Sequence, residues 1–374
     1  MAMQESNNRL SLLSQVLKEY RKSHGLTQEQ LAEELRVEPR TLRSWENERP
    51  LENIRELRRI ADILGIEPER LGIAPSAYTP RTPEQIEEII QHAWSLVEES
   101  RMYQARATIE RLIQNVQTQI TSEEPKLLTS LAHAYHVAGY IVAESSRAHE
   151  SYGAIVHYHQ METIARTLND HTLLNIALTY QGDMYRRLGD LTKAITYLEA
   201  ARDSTPQADV AARGNGIQLL GRAYLRKGDL SKFERAMVEA EELTYTFDPA
   251  MSSTRGHYSL GTVYEEYGRS YTDLGQTQKA LEYLERAQTT LPQTKFWELL
   301  VTTSRAEALV KGGELRSGIQ QAVAATEQIQ TAGINRFLDR VYGIQQYLDK
   351  LTREIVQAST PLREILDGGQ YKEV

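Results

Sequence analysis

The sequence of 374 residues predicts an all-α protein, in which a five-helix domain is followed by a solenoid of helix pairs with C-terminal capping helices. Three observations carry the prediction. Apolar residues recur at helical spacing along the chain. In the second half, glycine, tyrosine, alanine and proline return at fixed offsets, the signature of a stacked repeat. Between the two patterns lies GIAPSAYTPRTP, residues 72–83, with prolines at 75, 80 and 83 and no apolar period, which reads as a linker. The divisions are therefore 1–72, 73–83, 84–358 and 359–374.

In the first domain, Leu10, Leu13, Val16, Leu17 and Tyr20 make an apolar stripe on a helix over 9–23. Gly25 breaks it and Thr27 can cap the next helix, which starts near Gln28, with Glu29 and Gln30 placed to reach back to its first amides. Leu31, Ala32 and Leu35 are its buried face. After the turn RVE, Pro39 opens a third helix, to about Glu48, at a first-turn position that needs no amide. Leu42 and Trp45 share its inner face, which leaves Arg40, Arg43, Ser44 and Asn47 to face outward. Ile54, Leu57, Ile60, Ala61 and Leu64 form a fourth helix ended by Gly65, and 68–71 a short fifth.

The balance of charge bounds what this domain can do. A net charge of −8 argues against bulk attraction to nucleic acid, so DNA contact has to be local. The arginines between 36 and 59 are interleaved with glutamates, a pattern that suits reading by a few side chains and equally a salt-bridged helical surface. Cysteine is absent, which excludes disulfides and thiolate sites. Residues 1–10 are polar without a signal-peptide core, and no stretch approaches the roughly 20 apolar residues of a membrane helix, so a cytoplasmic, membrane-free protein is expected.

Residues 9–72 are similar to the Cro/repressor-type (XRE) helix-turn-helix family. The resemblance implies that Gln28 donates to a DNA phosphate and braces the recognition helix, and that Arg21 and Glu46 form a buried structural ion pair. It places the base readers at Pro39, Arg40, Arg43 and Ser44; Pro39 has no side-chain donor, so Arg40 carries most of the specificity. Asn47 and Arg49 suit phosphates, which position a domain without reading sequence. The family's usual glycine after "WEN" is Glu48 here.

In the second domain Gly182, Tyr185, Gly189, Ala194, Ala201 and Pro206 recur as Gly268, Tyr271, Gly275, Ala280, Ala287 and Pro292. This run resembles the tetratricopeptide (TPR) repeat, in which small residues let two helices approach and proline ends the second. Weaker copies at Gly221–Ala240, Ala306–Ala325 and Ala93–Leu112, with a degenerate one at Ala154–Met161, bring the expectation to about six helix pairs. A long closing helix over 333–357, a short one over 361–366 and a frayed tail follow. The resemblance places on the concave groove Asp183, Arg186, Asn215, Gln218, Arg222, Glu265, Arg269, Thr303 and Glu307. There Asn215 and Gln218 would clamp a peptide backbone while Arg222 and Arg269 held a carboxylate.

His133, His136, His149, His157, His159 and His171 cluster in sequence, and the first two lie one turn apart, yet no acidic third ligand is evident, so no metal and no cofactor is expected. No GxxxxGK[ST], GxGxxG, HExxH or GxSxG occurs, and an enzyme is not expected. The whole arrangement resembles the RRNPP group of peptide-responsive regulators. It implies a homodimer on a palindromic operator of double-stranded DNA, with a peptide or protein effector in the groove. The alternative is a TPR adaptor that sequesters a partner and uses its helix-turn-helix only for docking.

Overall fold

Helical periodicity governs the whole chain in the computed structural model, which describes residues 2–47, 51, 53–66, 68–71, 82–119, 124–248, 252–254 and 257–369. Among them no strand occurs. The N-terminal domain packs α1 (Ala2–Ser23), α2 (Gln28–Glu34), α3 (Pro39–Glu46), α4 (Ile54–Leu64) and a 3-10 turn (Pro68–Leu71). Its core joins Leu13, Leu17, Leu31, Leu35, Leu42, Trp45, Ile60 and Leu71. The first helix begins seven residues earlier than its apolar stripe suggests, and the fifth helix is a single 3-10 turn.

Local chemistry explains the helix ends. Thr27 Oγ1 accepts from Gln30 N at 3.2 Å while Gln30 Oε1 accepts from Thr27 N at 2.8 Å, a reciprocal cap in which Gln30, not Glu29, reaches back. Asn53 caps α4, and Gly65 closes it with φ +64°. In the turn between α2 and α3 there is no glycine, so Arg36 takes the left-handed conformation at φ 52°, and Arg59 Nη1 donates to the Leu35 carbonyl at 2.7 Å.

Six helix pairs make the solenoid: α5 (Pro83–Glu98) with α6 (Met102–Gln119), α7 (Pro125–Ser145) with α8 (Tyr152–Leu168), α9 (His171–Arg187) with α10 (Leu191–Ser204), α11 (Val210–Lys227) with α12 (Leu230–Leu243), α13 (Leu260–Asp273) with α14 (Thr277–Thr290), and α15 (Lys295–Lys311) with α16 (Leu315–Ala332). The first helices also contact one another in succession and form the inner layer. Gly268 shows why the repeat needs a small residue there, because a Cβ would stand 2.6 Å from Leu284 Cγ. Helix α7 is buried on nearly every side from Ser130 to Glu144, as its run LAHAYHVAGYIVA allows.

The C-terminus differs from the expected pair of capping helices. After a 3-10 turn (Asn335–Phe337) one helix, α17 (Leu338–Gly369), runs through Pro361 without a break. Pro361 has no amide for the Gln357 carbonyl and its ring crowds that oxygen, which on this exposed segment can tilt out to water. Ile344, Tyr347 and Leu348 cover Ala306, Val310 and Ala322, so the first half caps the solenoid. Beyond Leu351 the helix joins no core cluster among the described residues. The linker over 73–81 and the last residues, 370–374, lie outside the described residues.

Candidate functional site

Helix α3 is short, and its two faces separate cleanly. Leu42, Trp45 and Glu46 point into the core, while Pro39, Arg40, Arg43 and Asn47 are exposed and Ser44 is half-buried. Arg49 and Glu48 lie outside the described residues. Arg43 is loosely held by Glu29, at 3.6 Å between two exposed side chains; Arg40 has no ion-pair partner among the described residues. A guanidinium so placed is available to the two acceptors of a guanine edge.

The edge is braced from behind through one buried carboxylate. Glu46, 2% exposed, accepts from Arg21 Nε at 2.8 Å and from the Gln28 amide, while its carbonyl accepts from Ser14 Oγ at 2.7 Å. Helices α1, α2 and α3 thus converge on the end of α3. The Arg21–Glu46 pair sits where the family resemblance puts it. Gln28 spends its amide on Glu46 and remains half-buried at the start of α2.

Periodicity gives no hint of how this domain meets the solenoid. Arg111 of α6 donates to Asp62 Oδ1 at 2.8 Å, to the Ile66 carbonyl at 2.8 Å and to the Ala61 carbonyl at 3.3 Å, a cation at the C-terminal end of α4. A Cβ on Gly65 would meet Ala107 Cβ at 2.1 Å, so α4 and α6 touch through a glycine. Beside them Tyr20 donates to Glu34 Oε1 at 2.9 Å, and His24 stacks on Tyr20 and meets Tyr103 edge-on. Burial raises the Glu34 carboxyl to about 7 against the opposing hydrogen bond from Tyr20. The N-terminal domain is therefore docked directly on the first helix pair.

The inner groove corrects an expectation. Its polar residues are not free to clamp a ligand, because the segment after α16 lies in the groove and binds Glu265, while Asn215, Gln218, Arg222 and Arg269 are bound by other groove residues. Asn335 Nδ2 donates to the Ser145 carbonyl at 2.8 Å, Arg336 binds Glu144, and Asp339 accepts from Ala148 N at 2.8 Å. Further along, Arg340 Nη1 donates to Glu265 Oε1 and the Leu300 carbonyl at 2.9 Å each, and to Ser304. Residues 335–340 thus strap α7 to α13 and α15.

The groove residues also pair among themselves. Asp183 pairs with Arg186, with Nε to Oδ1 at 2.9 Å; burial alone would raise this carboxyl, yet Arg186, Arg336 and Arg187 hold it below its ordinary value. Arg222, expected to hold a ligand carboxylate, holds Glu266 at 3.0 Å and Asp273 at 3.2 Å. Arg269 holds Glu266 at 2.8 Å, and Glu307 pairs with Lys311 at 2.7 Å. Against its own burial Glu266 stays well below the carboxylate range, owing to Arg269 and Arg222. Gln218 donates to Asn215 Oδ1 at 3.0 Å, and both are buried. Sequence spacing could not show the arginines that come back from more than 70 residues away.

Two hollows remain beside the strap. One, of about 210 Å³, is lined by Arg186, Arg222, Arg226, Arg269 and Arg340 with Asp273 and Asp339. Arg226 stands at its exposed rim, its pKa lowered to about 10 by partial desolvation and then by Arg186, Arg222 and Arg269. The other, about 70 Å³, lies among Tyr140, Tyr180, Asn215, His257 and Trp297. The histidines are dispersed: His133 bonds Glu87 at 3.2 Å, His136 meets the rings of Trp94 and Tyr180, and His159 approaches Glu162. Among the described residues no three histidine or carboxylate side chains converge as a metal site. No helix among them is long and apolar enough to cross a membrane.

Comparison with known proteins follows this division. A helix-turn-helix family model matches residues 17–78, and tetratricopeptide-repeat models match residues 176–208 and 261–290. No curated protein matches the chain. Among solved structures it is similar to a single-substitution variant of a putative kinesin light chain from Podosopora anserina with nearly identical TPR-like repeats, at 16% identity over 56% of this chain and 96% of that one, TM-score 0.40. It is also similar to BtubC (BKLC) from P. vanneervenii, at 18% identity over 71% and 92%, TM-score 0.37.

Proposed function

We propose that this chain, a helix-turn-helix DNA-binding domain carried on a tetratricopeptide-repeat interaction domain, is a non-enzymatic, cytoplasmic transcription regulator that binds a palindromic operator as a homodimer and answers to a peptide or protein effector. One observation carries the reading: an exposed edge of Arg40, Arg43 and Asn47 on a helix braced by the buried Glu46 carboxylate. With a net charge of −8 the affinity has to come from this small surface, doubled by a second copy. Two half-sites about 34 Å apart, or a multiple of that, would match two such helices.

In this reading the strap is what an effector acts on. Asn215 and Gln218 line the smaller hollow with Arg336, and Arg222 the larger with Arg336 and Arg340, so displacing the strap would open both to a peptide. An effector that binds the unstrapped solenoid more tightly than the strapped one shifts the population toward it, and the docked α4–α6 contact carries the change to the DNA-binding domain. An acidic group on the effector would meet the arginine-lined hollow at Arg226. The combination of a helix-turn-helix with a repeat array resembles that of the RRNPP-type regulators.

In vitro selection of bound DNA by the full-length protein tests the reading. Enrichment of a two-fold symmetric site with fixed half-site spacing is expected. Recovery of no sequence preference, with and without cell extract as a source of effector, would favour the adaptor reading, in which the helix-turn-helix only docks a protein.

A further inference from the structure

Of the two hollows beside the strap, the larger carries positive charge that its neighbours do not balance. Seven arginines and three carboxylates line its volume of about 210 Å³. The carboxylates are already held, Asp273 by Arg222, Glu307 by Lys311 and Asp339 by Arg147. Arg186, Arg336 and Arg340 pair with Asp183, Glu144 and Glu265, while Arg222 and Arg269 share Glu266. Seven carboxylates thus meet seven cations, and Arg187 and Arg226 are left with no ion-pair partner among the described residues. Arg187 donates to the carbonyls of Ala143 at 2.7 Å and Ser146 at 3.2 Å, which fix it without neutralising it. Arg226 stands at the exposed rim.

Unmet donors belong to the same wall. Arg222 Nε, Arg269 Nε and Arg340 Nη2 are buried and have no acceptor among the described residues; they come from α11, α13 and the strap. A buried donor without an acceptor is costly, more so on a charged group. Both observations call for a ligand with two negative charges and oxygens on several sides. A carboxylate brings one charge and two oxygens in a plane. A phosphate group brings a charge of about −1.5 to −2 at pH 7 and about three strong acceptor oxygens, which can serve guanidiniums arriving from separate helices.

We propose that this hollow binds a phosphate group, free or carried by a small molecule, and that the bound group holds the strap closed. The wall supplies Arg187, Arg222, Arg226 and Arg269 and the strap supplies Arg336 and Arg340, so the anion needs both parts in place. It binds the strapped solenoid more tightly than the unstrapped one and shifts the population toward it. The inference rests on the strapped groove and goes beyond the effector reading, in which an acidic peptide group reaches Arg226 as the strap leaves. A phosphate group opposes such an effector, and each weakens the other by the same factor.

Isothermal titration calorimetry of the full-length protein with inorganic phosphate, sulfate, phenyl phosphate and acetate, at equal ionic strength and without DNA, reads the site. Saturable one-to-one binding of phosphate and of sulfate is expected, and none of acetate. Tighter binding of phenyl phosphate than of inorganic phosphate would assign the site to a phosphorylated small molecule, and the reverse to free phosphate. Arg226→Gln is expected to weaken phosphate binding about ten-fold, as loss of one charge-assisted hydrogen bond would. It should not lower the thermal midpoint without phosphate, because the side chain is exposed and unpaired. Amide hydrogen exchange over 335–340 is expected to slow when phosphate saturates the wild type. Phosphate binding no stronger than that of acetate, or unaffected by Arg226→Gln, would overturn the site. Binding that leaves exchange over 335–340 unchanged would overturn the lock. Either result leaves the DNA reading to be decided by the operator selection.

Discussion

Replacing Arg340 with methionine probes the strap at its best-determined point. The residue is 8% exposed, and its guanidinium donates to Glu265, Ser304 and the Leu300 carbonyl; Glu265 is itself 3% exposed. Burial and the neighbouring Arg269 lower the Arg340 pKa to about 9, so at neutral pH it is still a cation, held at a desolvation cost. Arg340→Met removes the cation and leaves Glu265 with the Ser304 hydroxyl and Arg269, whose Nε is 3.8 Å away. Breaking a buried pair from one side costs about 3–5 kcal/mol, since an uncompensated charge stays behind. At about 2 °C per kcal/mol for a domain of this size, the solenoid should melt about 6–10 °C lower. Thermal unfolding followed by tryptophan fluorescence reads this, because Trp94 and Trp297 lie in the solenoid and Trp45 in the DNA-binding domain. Adding Glu265→Gln removes the stranded charge and should restore most of the loss. A single variant that melts within about 1 °C of wild type, or a double variant no better than the single, would refute the claim that this pair carries the strap.

Two further outcomes follow from the packing. The Glu34 carboxyl has a folded pKa of about 7, above its unfolded value, so the folded state holds its proton more tightly; the penalty is absent at low pH and grows as pH rises toward 7. Glu34→Gln should therefore stabilise the docked N-terminal domain by about 2–3 kcal/mol more at pH 8 than at pH 5, read as the shift of the Trp45 transition; a shift independent of pH would count against burial as the cause. Gly268→Ala places a methyl 2.6 Å from Leu284 Cγ and 3.2 Å from the Ala280 carbonyl, and overpacking of this kind costs about 1–3 kcal/mol in urea unfolding; an unchanged midpoint would mean that α13 and α14 can separate freely.

How much of this was legible in the sequence depended on distance along the chain. Signals within one turn were reliable. Thr27 with Gln30 marked a helix start, Gly65 ended α4, and the recurring Gly182 and Gly268 marked where two helices must touch. The exposed face of α3 was legible for the same reason, since Leu42 and Trp45 fix which way Arg40 and Arg43 point. Contacts across long separations were not. Arg336 and Arg340 sit in a stretch whose apolar period marks it as a cap, and nothing local tells that their partners are Glu144 and Glu265. The inner wall was therefore taken as open to a ligand when it is filled from within. Pro361 misled in the other direction: a helix with water on its outer side tolerates the lost amide, so the expected break is absent.

The central claim is that a few side chains on α3 read DNA, with Arg40 foremost. It is tested most directly by fluorescence anisotropy titrations of wild type and Arg40→Ala on the selected operator and on the same operator with its contacted guanine replaced, at one fixed salt concentration. The account predicts that wild type discriminates against the replaced base by about 1–3 kcal/mol, roughly 5- to 150-fold, and that Arg40→Ala binds both duplexes equally. Undiminished discrimination by Arg40→Ala would contradict it.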